Sequence, residues 1–128
     1  MINFINTDLY KEGVNINVIV YSDNKDRAVA KIKALTKGEK ILEERENYNE
    51  YRAIVEKNNI NIAFRTMPLS IYARGHRSQY AIVDMDIIGL EHGREIFYNS
   101  IYTKTIIYSH LLKDTENPYT REMQIMLF

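Results

Sequence analysis

Cysteine is absent from the 128 residues. That excludes disulfides, thiol nucleophiles and thiolate metal sites, and it fits a cytoplasmic location. Glycine and proline are scarce, at five and two. No GxGxxG and no glycine-rich loop ending in Lys-Ser or Lys-Thr can be found, and Gly38-Glu39-Lys40 is not such a loop. Backbone amides that cradle a nucleotide phosphate are therefore not supplied by a known motif. Neither sign of charge is in excess, with 17 basic and 17 acidic residues. A neutral chain has no whole-molecule attraction to nucleic acid and is no acidic mimic of it, so any charged contact must be local. No apolar run reaches the roughly 20 residues that span a bilayer. The opening MINFINTDLYKEG lacks the basic and apolar segments of a secretory signal. No membrane partner is expected.

What is there reads as one domain over residues 1–128, with 45% apolar and 27% charged residues. Ile, Asn, Lys and Tyr are abundant; AT-rich codons encode them, which points to a low-GC bacterium or its phage. Residues 1–13 suit a short strand or one helical turn. Val14 to Tyr21 is the clearest strand, with Val14, Ile16, Val18 and Val20 on one face. Ser22-Asp23-Asn24 offers three helix caps, and Ala28, Val29, Ile32 and Leu35 repeat at helical spacing up to Gly38. A second helix is predicted over Glu43–Lys57 from the stripe Tyr48, Tyr51, Ile54, Val55, ended by Asn58-Asn59. A third is predicted over Leu90–Tyr102, then a strand at Thr105–Tyr108, and a terminal strand or interface segment at Met123–Phe128. The sum is an α/β, three-layer domain: a mostly parallel sheet of four to five strands flanked by helices.

The chemistry gathers in Asn61–Gly89. A strand of alternating character ends at Pro68, a basic turn follows, and Tyr80-Ala81-Ile82-Val83 reads as a strand buried on both faces. Asp84 and Asp86 close it, where open α/β sheets collect their chemistry. Together with Glu91 they could hold Mg²⁺ for phosphoryl transfer or phosphodiester cleavage. Arg74, Gly75, His76 and Arg77 could grip phosphate, a guanidinium fork beside a backbone free to come close, with Tyr72 and Tyr80 stacking on bases. His76, His92 and His110 read as surface or capping residues, because none has a nucleophile partner.

The order of these segments resembles the ATPase core of phage terminase large subunits and related helicase-like P-loop proteins, over roughly residues 14–110. A strand leads into YSDNKDRA and a helix; RGHRSQYAIVD then follows, and TIIYSH after it. The resemblance implies that Ile82-Val83-Asp84 matches the Walker B strand and Ile106-Ile107-Tyr108-Ser109 the coupling strand. The Walker A loop is missing, and Met85 stands where the family has its catalytic Glu. What is implied is a degenerate core that keeps the sheet without hydrolysis and without a cofactor. The expectation is a non-catalytic, phage-encoded accessory protein that binds nucleic acid or a protein of DNA metabolism. The alternatives are a small Mg²⁺-dependent nuclease or phosphotransferase centred on Asp84 and Asp86, and an inhibitor docking on an enzyme through tyrosines.

Overall fold

The structure is a computed structural model that describes residues 2–68, 78–89, 91–98, 111, 113 and 124–128. Strand β1 is Asn15–Tyr21, and its last four residues are buried. It enters the centre of the sheet, so both of its faces must be apolar there. Helix α1, Lys25–Thr36, follows directly; the Asn24 side chain caps it by accepting from the Arg27 amide. It turns Ala28, Val29, Ile32 and Thr36 inward and lies against β1 and two neighbouring strands. Gly38 then takes φ +81°, which a Cβ would oppose.

The predicted helix over 43–57 is a β-hairpin. Strands β2, Lys40–Glu46, and β3, Tyr51–Lys57, pair antiparallel. Tyr51, Ala53 and Val55 are buried while Arg52 is exposed, the two-residue period of a strand. Asparagines bend the chain at both ends of β3. The Asn47 side chain accepts from the Asn49 and Glu50 amides, each at 2.9 Å. Asn58 and Asn59 adopt φ 52° and 64°, the left-handed pair of a tight hairpin. They launch β4, Ile60–Met67, rather than ending a helix. Ile41 pairs with Val55 and Glu43 with Ile54, so the register slips by one residue at Leu42.

Strand β5, Tyr80–Val83, and β6, Gln124–Leu127, complete a six-stranded sheet in the order β2-β3-β4-β1-β5-β6. The sheet is mixed, not mostly parallel: β4-β1, β1-β5 and β5-β6 run parallel, while β2-β3 and β3-β4 run antiparallel. Among the described residues α1 is the one helix longer than six residues, since α2, Met85–Ile88, and α3, Glu91–Ile96, are short. The expected helix-flanked three-layer domain is therefore wrong. Residues read as the second helix widen the sheet instead.

One core lies between the sheet and α1. Ile16, Val18, Val20, Ala53, Val55, Ile62, Phe64 and Ile82 meet Ala28 and Ile32 there, and Ile2, Ile5 and Tyr10 close its end. The 3-10 turn Thr7–Leu9 lies in the N-terminal segment, with Thr7 buried. No helix among the described residues is long and apolar enough to cross a membrane.

Candidate functional site

The parallel strands deliver their polar ends to one rim. β1 and β5 pair in register from Val18 opposite Tyr80 to Tyr21 opposite Val83, so Ser22 and Asp84 emerge side by side. The Ser22 hydroxyl donates to Asp84 Oδ2 at 2.8 Å, and Arg27 Nε reaches the same oxygen at 2.8 Å. The Asp86 amide donates to Asp84 Oδ1 at 3.0 Å. Asp84 is 1% exposed. Both its oxygens are thus taken by protein donors in a dry place, as a buried carboxylate requires. Its strand stops at Val83 and α2 begins at Met85, so Asp86 does not continue an alternating strand. Asp86 stands out in solvent, with its Oδ2 3.4 Å from Arg27 Nη1. The guanidinium that joins the two acids is thus Arg27, whose carbon also lies 5.4 Å from the centre of the Phe128 ring.

Arg27 was not among the residues singled out in the sequence. Its place in the first turn after β1, beside whichever strand pairs with β1, was the available signal. Tyr80 is not a base-stacking residue. It is buried, packs edge-on against Phe4 at 5.3 Å, and its hydroxyl meets that of Tyr10 at 3.2 Å. An all-apolar strand hides which of its faces is inner, and here the tyrosine faces the core. Tyr72, Arg74, Gly75, His76, Arg77, His110 and the Ile106–Ser109 segment lie outside the described residues. So do the side chains of Glu91 and His92. No group of three metal-ligating side chains occurs among the described residues.

The rim also carries a cleft of about 170 Å³ lined by Ser22, Asp23, Lys25, Tyr48, Asn49, Thr66, Met67 and Pro68. It lies where the ends of β1 and β4 meet the start of α1 and the β2–β3 turn, which supply Ser22 and Asp23, Thr66 to Pro68, Lys25, and Tyr48 with Asn49. Lys25 is committed there, to Glu46 at 3.0 Å and the Asn47 carbonyl at 2.6 Å. Tyr48 is 93% exposed at the hairpin tip.

The sheet face away from α1 holds a second feature. Arg45 pairs with Arg52, and Arg52 with Arg65, so three arginines stand in register across β2, β3 and β4. Like charges directly opposite one another destabilise a sheet by roughly 0.2–1 kcal/mol a pair. Glu43 lies 2.6 Å from Arg45, and Glu50 lies 3.6 Å from Arg65. Arg52 forms no ion pair with the described residues. Beside the row is a hollow of about 120 Å³ lined by Asn17, Val18, Ile19, Arg52, Ala63 and Arg65. Small Ala63 leaves the space, and the Gln79 side chain fixes its far wall by accepting from the Asn17 amide at 2.8 Å. Burial pushes the Tyr21 hydroxyl up to about 12, against the opposing charge of nearby Arg65.

No protein-family model, no curated protein and no solved structure matches the chain.

Proposed function

We propose that this chain is a non-catalytic binding domain whose partner is a nucleic acid or a protein of DNA metabolism. Its core is read as a degenerate relative of the ATPase arrangement that the segment order resembles. One observation carries the non-catalytic part. The acid at the Walker B-like position, Asp84, is buried and spends both oxygens on Ser22, Arg27 and the Asp86 amide. A carboxylate that orders a catalytic cation needs lone pairs turned toward it, and a strong cation would have to displace Arg27 first. Asp86 is held by the same guanidinium. The arrangement joins strand ends and α1 into one rim, and its role is structural.

The test is direct. The protein is incubated with ATP, and separately with plasmid, single-stranded DNA and RNA, in the presence of Mg²⁺ or Mn²⁺. No phosphate release and no cleavage are expected. Turnover that disappears in the Asp84→Ala variant would replace this reading with the metal-dependent one.

A further inference from the structure

We propose that single-stranded nucleic acid crosses the arginine-bearing face of β2, β3 and β4, with its phosphates on the arginine row and a base on Tyr48. The inference rests on the binding reading above and names its ligand and surface. Two features of this surface then have one explanation, and the first of them costs the free protein stability. The first is Arg45, Arg52 and Arg65 held opposite one another on adjacent strands. The second is a tyrosine ring left 93% in solvent at the tip of the same hairpin.

The geometry links them. Only the Glu46–Tyr51 pair separates the Arg45–Arg52 pair from the Asn47–Glu50 turn. Tyr48 is four residues from Arg52, at most about 14 Å of extended chain. The hollow and the rim cleft also follow one another along β4, the first at Ala63 and Arg65, the second at Thr66, Met67 and Pro68. The hollow has space for about four waters, enough for a phosphate group between Arg52, Arg65 and Asn17. Guanidinium forks suit phosphate oxygens, and among the described residues Arg52 has no carboxylate to release first. A base of any identity can lie on an exposed aromatic ring, so the contact needs no sequence preference. A single strand is chosen over a duplex because the ring needs an unstacked base.

Fluorescence anisotropy of a labelled oligothymidylate, titrated with the full chain at several salt concentrations, tests this. Binding is expected for the wild type. Tyr48→Ala should weaken it roughly five- to hundredfold, the worth of one stacked base. The Arg52→Gln, Arg65→Gln double variant should weaken it and lower the salt slope by about 1.4, two contacts at about 0.7 each. Arg65→Gln also breaks the pairing with Glu50, so Arg52→Gln alone, which loses no ion pair with the described residues, is the folding control: it should weaken binding with its melting temperature unchanged or higher. A wild type that binds no oligothymidylate overturns the inference, as does wild-type affinity in both the Tyr48 variant and the double variant. Competition by inorganic phosphate as strong as by the oligonucleotide overturns it in favour of a small-anion site. None of these results bears on the non-catalytic reading, which is judged by hydrolysis alone.

Discussion

Asp84 holds three donors from three different parts of the chain, so its removal acts on all of them. Asp84→Ala leaves the Ser22 hydroxyl without its 2.8 Å acceptor and Arg27 without its buried partner. The expected loss is about 2–3 kcal/mol, read as a lower urea midpoint, because a stranded buried donor keeps its desolvation cost. Asp86→Ala, at an exposed acid, should change the midpoint by less than about 0.5 kcal/mol. Tyr21 sets a pH dependence. Its hydroxyl is pushed from 10.0 in the unfolded chain up to about 12 when folded, chiefly by burial. Between those values the unfolded chain has given up the proton and the folded one has kept it. Stability is thus whole below pH 10 and falls as pH rises, by up to about 1.4 kcal/mol per pH unit. Tyr51 adds in the same direction, raised by burial and by its hydrogen bond to Glu44. Urea melts on either side of pH 10 should show the decline, and Tyr21→Phe should flatten it.

The hairpins depend on asparagine. Asn59 sits at φ 64°, and its side chain makes only a 3.4 Å contact with Glu12. Asn59→Gly should therefore hold or raise stability by up to about 1 kcal/mol in thermal melts, since Gly is the preferred second residue of this turn. A β-branched residue there should do the reverse. The same asparagines mark where reading the sequence failed. Tyr48, Tyr51, Ile54 and Val55 satisfy helical spacing, while Tyr51, Ala53 and Val55 satisfy a strand. The choice between them is made by the edge of β4, which offers partners to a strand. β1, α1 and β4 were legible because each has one clear period, and β5 because a short apolar run suits a buried strand; the C-terminal segment was read as a strand or an interface segment, and β6 is the former. Asp84 was legible as a strand-end acid. Arg27 was not, because its meaning depends on β1 and β5 being neighbours. The arginine row was invisible for the same reason: residues in three strands become a row only when register is known.

At the scale of the whole molecule, the sheet has a firm middle and a soft margin. β1 is hydrogen-bonded on both sides and covered by α1, whereas every residue of β2 is exposed. Amide hydrogen exchange should be slowest in β1 and fastest in β2 among the strands; equal protection in the two would contradict the strand order. The edge at β2 also bears on behaviour in concentrated solution. The slipped register at Leu42 throws the outer amides and carbonyls of that strand out of step with a straight neighbour. A second molecule that tried to extend the sheet there would find its ladder broken midway, so the kink acts as a built-in brake on fibre growth.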